Sequence, residues 1–331
     1  MAEHGGNLDE AAKAYGFAPH QMIDLSTGIS PSAYEMALPP SSAYQALPLE
    51  SSLSALYDAA RSAYHMPQDA AICAGAGSQA LLGALPYIIG AKMDKKNVIW
   101  CPEPTYNEHR YRWERAGFEV VGTPDCPSNA QVIILGQPNN PTGRIWSSDE
   151  IATYLEKMRE RGGMVILDEA FVDAMPEQSS IPLTGDAPLL ILRSVGKFYG
   201  LAGLRVGFAI GAKDVITQLA DEIGPWPVSQ PALLVATAAL RDKEWQEAHR
   251  ANLTHKSEKM ALALAKEGFE VIAAMPLFVT ITHPHMADFH HHLARHGYWS
   301  RIYRNDPTMM RLGLLPDGHD DARFEALLSG W

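Results

Sequence analysis

Lys197 stands in LRSVGKFYGLAGLRVGF, a run from Leu192 to Phe208 that holds one lysine among small, apolar and aromatic residues. A lysine enclosed by apolar walls loses charge stabilisation, so its pKa falls and its amine can act as a nucleophile. Joining an amine covalently to a carbonyl compound requires such a group. Ser194 and Arg205 bracket the lysine, and both suit a phosphate. Asp168 closes the apolar run MVILDEA. A carboxylate dehydrated at a strand end either caps the next helix or needs a cationic partner, such as a protonated pyridine nitrogen. Asn140 lies in QPNNPTG, where prolines hold the chain in turns; its amide either completes a turn or donates to a phenolate oxygen. GAGSQALL sets two glycines and a serine between a strand and a helix, where backbone N–H groups and the helix dipole can hold a phosphate. Tyr106, in EPTYNE, is either a core aromatic or a ring that covers a flat heteroaromatic ligand.

Each of these signals is weak alone. Together they comprise a nucleophilic lysine, a partner for a ring nitrogen, a donor for a phenolate, a stacking ring and a phosphate cup. That is the inventory that pyridoxal 5'-phosphate needs.

The elements that must position these groups follow from hydrophobic patterning. AAICAG (70–75), NVIWC (97–101), FEVVG (118–122), QVIILG (131–136), MVILDEA (164–170), LLILRS (189–194) and RVGFAI (205–210) are short runs rich in Val, Ile and Leu. Helix-like stretches such as SQALLGALPYII, NEHRYRWERAG and SSDEIATYLEKMRERGG separate several of them. Continuous rather than alternating apolar strands imply a sheet covered on both faces, hence an α/β fold with a mainly parallel seven-stranded sheet flanked by helices. Such sheets bind ligands at the C-terminal ends of their strands, and here those ends carry GAGSQ, PEPTY, QPNNPTG, DEAF and RSVGK. The expected organisation is an N-terminal arm (1–30), a large domain (31–225) and a smaller α+β C-terminal domain (226–331). In the last, a long helical region over roughly 230–268 precedes strands at FEVIAA, LFVTIT and MMRLGLL, with MADFHHHLARHG as a helix.

Composition narrows the function classes. The formal net charge of −11, from 27 basic and 38 acidic residues, disfavours nucleic-acid binding. Three cysteines, Cys73, Cys101 and Cys126, form no CxxC pair and read as reduced thiols of a cytoplasmic protein. The start MAEHGGNLDE is too polar for a signal peptide, and LLGALPYIIGA is too short to span a membrane. The histidines at 290–292 point in different directions on a helix, so no metal site is expected.

The order GxG, PTY, NNPTG, DEAF, SxxK and an arginine eight residues on resembles fold-type I pyridoxal-phosphate enzymes, specifically the histidinol-phosphate aminotransferase branch. The arm HGGNLDEAAKAYG followed by IDLSTGISP, with DEAF and GPWPVS, is similar to a narrower group, the threonine-phosphate decarboxylases of cobalamin biosynthesis. The resemblance implies that Lys197 is the catalytic residue that bonds to the cofactor, that Asp168 pairs with its ring nitrogen, that Asn140 meets the 3-oxygen and that Tyr106 stacks. Gly77, Ser78, Gln79, Ser194 and Arg205 would hold the cofactor phosphate. Arg311 would grip the substrate carboxylate, and Arg301 and His4 the substrate phosphate.

The implied reaction is decarboxylation of L-threonine O-3-phosphate to (R)-1-amino-2-propanol O-2-phosphate. Transamination of a phosphorylated substrate such as histidinol phosphate is the alternative, and a non-catalytic regulator is disfavoured by retention of Lys197. A homodimer is implied as well. The sequence departs from the wider pattern at Phe171, where aminotransferases carry a tyrosine, in GAGSQ, which lacks the usual asparagine, and at Leu47, which cannot reach a partner's phosphate.

Overall fold

The computed structural model describes residues 5–94 and 96–331, which form two compact units. The larger comprises 34–140 and 144–246; the smaller comprises the described part of 1–33 together with 141–143 and 247–331.

The larger unit is built on one seven-stranded sheet. Its strands are β1 (Ala71–Ala76), β2 (Val98–Trp100), β3 (Glu119–Val121), β4 (Ala130–Gly136), β5 (Met164–Asp168), β6 (Leu189–Ser194) and β7 (Val206–Gly211). Their order is β1-β7-β6-β5-β4-β2-β3. Only β7 runs against its neighbours; the β2–β3, β2–β4, β4–β5 and β5–β6 pairs are parallel. Because β7 is reversed, its first residues lie at the same edge as the C-terminal ends of the other strands, which brings Arg205 to that edge. The seven apolar runs of the sequence correspond to these seven strands.

Helices α1 (Glu50–Ala63), α2 (Ser78–Ile88), α3 (Asn107–Arg115), α4 (Ser148–Arg161), α5 (Lys213–Ile223) and α6 (Gln230–Arg241) belong to the same unit. On one face, Leu81, Leu85, Trp113 and Leu219 from α2, α3 and α5 pack against Ile99, Val132, Ile134, Ile166 and Leu190 of the sheet. Burying each such side chain contributes about 1.5–3 kcal/mol. Cys73 and Cys101 belong to this core, and burial pushes both thiols up to about 12. Local signals set the helix ends. Ser147 Oγ accepts from Glu150 N (3.2 Å) while Glu150 returns the contact to Ser147 N (2.8 Å), a capping box that starts α4.

The boundary between the units differs from the sequence expectation of 225/226. α6 packs against α1 and stays with the larger unit, so the division falls after Gln246. The helical region over 230–268 is two helices, because Asp242 interrupts it: its carboxylate accepts from Trp245 N (3.0 Å) at the start of α7 (Lys243–Lys266).

The smaller unit carries a four-stranded antiparallel sheet of β8 (Glu270–Met275), β9 (Phe278–Thr282), β10 (Arg301–Tyr303) and β11 (Asp306–Gly313), in the order β10-β11-β9-β8. Helices α8 (Met286–Arg295) and α9 (Asp321–Ser329) belong to the same unit. The arm joins it through a helix over Leu8–Tyr15, which ends at the left-handed Gly16, and through Ile23–Asp24, paired in parallel with Tyr298–Trp299. Among the described residues, no helix is long and apolar enough to cross a membrane.

Candidate active site

Side chains from five loops converge at the edge where β1, β2, β4, β5 and β6 end and β7 begins. Gly77, Ser78, Gln79, Tyr106, Asn140, Asp168, Ser194, Lys197 and Arg205, far apart in sequence, line one cavity there of about 130 Å³. Thr105, His109, Gly136, Pro138, Ala170 and Phe171 complete its wall.

One end of the cavity is a cup with donors. Ser78 and Gln79 open α2, whose first turn carries no side-chain cap, so the peptide N–H groups and the positive helix end face the cup. Gly77 adopts φ +77, and a Cβ at that residue would lie 2.5 Å from Arg205 Nη2. Only glycine lets the guanidinium approach this turn. Gly207 serves the same end, because a Cβ there would lie 2.2 Å from Ser78 N. Ser194 Oγ, almost buried, accepts from Gly196 N at 3.2 Å. A glycine-lined cup with two backbone donors, a hydroxyl and a guanidinium fits a phosphate ester.

Along the cavity, Asp168 Oδ1 accepts from Ala170 N (3.1 Å), and Oδ2 lies 3.1 Å from Nε2 of the buried His109. The half-buried Lys197 amine lies 5.5 Å from the centre of the Phe171 ring. Asn139, beside Asn140, ties two loops together: Nδ2 donates to Pro104 O (2.9 Å) and Oδ1 accepts from Thr105 Oγ1 (2.7 Å). That cross-link holds the NNPTG loop against the loop that presents Tyr106. The Tyr106 hydroxyl donates to Gln79 Oε1 at 3.1 Å, and burial, followed by the charges of Asp168 and Glu108, pushes the phenol up to about 12. An amine, a carboxylate, a ring and a phosphate cup along one cavity are a donor set that fits pyridoxal phosphate.

Sequence reasoning passed over His109. It lies in NEHRYRWERAG, which reads as an exposed amphipathic helix, yet it is buried and touches Asp168. The available signal was its spacing: Tyr106 is the residue before α3, and a residue three further on shares its side of the first turn, with the rings 5.6 Å apart and edge-on.

The arginines expected to meet substrate lie in the smaller unit. Arg301 on β10 and Arg311 on β11 are directly opposite in register, so their side chains project from the same face of the sheet. Arg311 is buried and its Nη2 donates to Ser26 O at 2.5 Å. Burial, then the charge of Arg301, hold its pKa below the ordinary value, while Tyr303 and Asp24 act in the opposite direction. Arg301 is half-buried, its guanidinium 5.3 Å from the centre of the Tyr303 ring. The arm supports this strand junction: Gly6 N donates to Ser26 Oγ (2.7 Å), and a Cβ on Gly5 would lie 2.5 Å from Ser26 O. His4 lies outside the described residues.

The chain matches known proteins at the level of family and fold. The profile of the family described as aminotransferase class I and II matches residues 41–301. The chain is 35% identical to a threonine-phosphate decarboxylase of Pseudomonas aeruginosa, over all of this chain and 98% of that protein. It is 33% identical to a threonine-phosphate decarboxylase of a Sinorhizobium species, over 98% and 97% of the two chains. In fold it is similar to the crystal structure of histidinol-phosphate aminotransferase from Sinorhizobium meliloti in complex with pyridoxal-5'-phosphate, with TM-score 0.78 at 17% identity, over 98% of this chain and 93% of that one. The chain belongs to the aminotransferase class I and II family, with the fold-type I architecture of pyridoxal-phosphate enzymes.

Proposed function

We propose that the protein is a pyridoxal-phosphate-dependent carboxy-lyase that removes CO₂ from L-threonine O-3-phosphate and yields an aminopropanol phosphate, a step of cobalamin biosynthesis. The observation that carries the choice of reaction is the similarity, over nearly the whole of both chains, to two threonine-phosphate decarboxylases. The cavity at the strand ends supplies the chemistry.

When bound, pyridoxal phosphate provides a protonated ring that accepts the electron pair left at Cα as the carboxylate departs. This chain's residues set the conditions for that event. The Ser78 and Gln79 N–H groups, Ser194 Oγ and Arg205 hold the phosphate ester, with Gly77 leaving room for them. Tyr106 covers one face of the ring. Asn140 donates to its 3-oxygen. Asp168, steadied by His109 and by Ala170 N, keeps a proton on the ring nitrogen. Lys197 would hold the cofactor through its aldehyde, and its Nζ would supply the proton that Cα takes up. Phe171 has no hydroxyl and therefore makes no polar contact to the 3-oxygen.

Arg311 is assigned to the substrate carboxylate through its planar fork, and Arg301, with His4, to the substrate phosphate. Binding the phosphate, remote from the reacting bond, is what aligns the Cα–carboxylate bond. The working form is a homodimer of the cytoplasm. This is supported by the habit of the family and by exposed Leu38, Tyr44, Leu47, Leu49 and Trp226 in the larger unit, which leave apolar area for a second copy to cover.

The test is product analysis with purified holoenzyme. Threonine phosphate alone is expected to release one CO₂ per amine formed, and Lys197→Ala to lower the rate by about 10⁴-fold or more. Formation of glutamate from 2-oxoglutarate, with no CO₂, makes the protein an aminotransferase instead.

A further inference from the structure

Glu108 is a buried carboxylate that the proposed chemistry does not use. It sits in the first turn of α3 with 4% of its surface exposed, next to His109 and two residues beyond Tyr106. Its Oε2 accepts from Gln79 Nε2 at 2.5 Å and from Arg112 Nε at 2.7 Å. A carboxylate oxygen in an ion pair accepts and does not donate. The Gln79 group that faces it must therefore be the NH₂, and the Gln79 carbonyl oxygen must point the other way. That oxygen is the acceptor of the Tyr106 hydroxyl at 3.1 Å. The chain of bonds runs in one direction, Arg112 to Glu108, Gln79 to Glu108, Tyr106 to Gln79, and each orientation follows from the one before it. Arg112 is partly exposed, so it pairs with Glu108 without being sealed in with it.

We propose that Glu108 is a positioning residue for cofactor binding: by fixing the amide of Gln79, it locks the Tyr106 ring in place over the cofactor site and holds the first turn of α2 at the phosphate cup. This rests on the stacking role given above to Tyr106. α3 thus braces the site with two consecutive residues, His109 behind the carboxylate at one end of the cavity and Glu108 behind the ring and the cup. Removing Glu108 leaves the Gln79 amide free to rotate and deprives Arg112 of its buried partner; hydrogen bonds to charged groups are of the size that changes binding tenfold or more.

The experiment titrates apoenzyme of the full chain with pyridoxal phosphate and records affinity and visible circular dichroism. Glu108→Gln, which preserves shape, and Glu108→Ala are compared with the parent, and thermal unfolding of each apoenzyme checks that it folds. Glu108→Ala is expected to weaken cofactor binding by about 10- to 100-fold and to diminish the visible dichroism of the bound cofactor, with Glu108→Gln in between. In a Tyr106→Phe background the hydroxyl link is already cut, so Glu108→Ala should add only the smaller part of its loss that acts through the first turn of α2. Parent-like affinity and dichroism in Glu108→Gln and Glu108→Ala, or the full Glu108→Ala loss persisting in Tyr106→Phe, overturns the relay. Failure of the stacking role reads out separately: Tyr106→Ala then binds the cofactor with unchanged affinity and dichroism.

Discussion

Two buried arginines, one in each unit, are surrounded in opposite ways. Arg193 on β6 is 2% exposed. It donates to Glu169 at 3.0 Å and to Asp173, and its guanidinium lies 4.1 Å from the centre of the Tyr64 ring. Burial alone would lower its pKa, but Asp173, Tyr64 and Glu169 together raise it above the ordinary value. Glu169 takes two further bonds, from Ser179 Oγ (2.7 Å) and Ser180 N (2.7 Å). Arg311 is 6% exposed, but the residue directly opposite it is another arginine, and its pKa is lowered. Opposed like charges destabilise a sheet, and a buried charge is costly unless compensated. Arg193 meets two carboxylates of the fold, whereas Arg311 has another arginine opposite it, an arrangement that suits the anionic substrate group proposed for it.

Exchanging each arginine for methionine tests the contrast where the effect is largest. Arg193→Met leaves Glu169 and Asp173 buried without their counter-charge and is expected to cost about 3–5 kcal/mol in urea unfolding. Arg311→Met removes a like-charge neighbour of Arg301 along with the bond to Ser26 O, so it should cost less than Arg193→Met in the same measurement. Its kcat/KM for threonine phosphate should fall by about 30-fold or more, because a buried charge partner of the substrate is lost. Equal loss of stability in the two variants would remove the distinction.

The same contrast explains what could be read from the sequence. The seven strands were legible because both faces of the sheet are covered, and runs such as Val165, Ile166 and Leu167 therefore carry no polar interruption. The cavity residues were legible because they follow those strands directly, where the chain must turn. Glu108 and His109 were not: polarity in a helix reads as solvent exposure, and their burial arises from what the sheet edge places against α3. The division of the helical region at Asp242 was hidden for a different reason, since one capping residue between two helix-forming stretches leaves the hydrophobic pattern continuous. Nor could spacing reveal that Arg301 and Arg311 are opposite each other. Their register depends on the turn between β10 and β11 and on the irregularity after Ile302.

A neighbouring group sharpens the comparison through pH. His290, on α8, is buried, with Nδ1 2.7 Å from Ser300 Oγ and its ring 4.6 Å from that of Trp299. Burial, then His291, lower its pKa to about 4. The unfolded chain therefore takes up a proton near pH 6.5, whereas the folded chain does not until about pH 4. Stability is whole above pH 6.5 and is lost as pH falls toward 4, by about 3 kcal/mol at most. Denaturant unfolding at pH 7.0 and 4.5, two conditions about that range apart, should show this slope, and His290→Gln should flatten it. An unchanged slope in the variant assigns the acid sensitivity elsewhere.

The smallest effect is the most specific to the arginine pair. If Arg301 and Arg311 are held in a repulsive arrangement, any multivalent anion that reaches them should stabilise the folded protein by mass action. Inorganic phosphate is the simplest probe, and holoenzyme is required, because in the apoenzyme the cup formed by Ser78, Gln79, Ser194 and Arg205 would bind the same ion. At tenfold its dissociation constant, phosphate should add about 1.4 kcal/mol to the stability of the holoenzyme, whereas chloride at equal ionic strength should not. Arg301→Met and Arg311→Met should each abolish most of the gain, since one guanidinium without its neighbour neither repels nor grips as the pair does. Arg193 already has two carboxylates, so phosphate should have no comparable effect on that cluster, and a destabilised Arg193→Lys protein should keep the full phosphate response. If phosphate stabilised the Arg311→Met holoenzyme as strongly as the parent, the ion would be binding elsewhere, and the two buried arginines would differ in environment without differing in purpose.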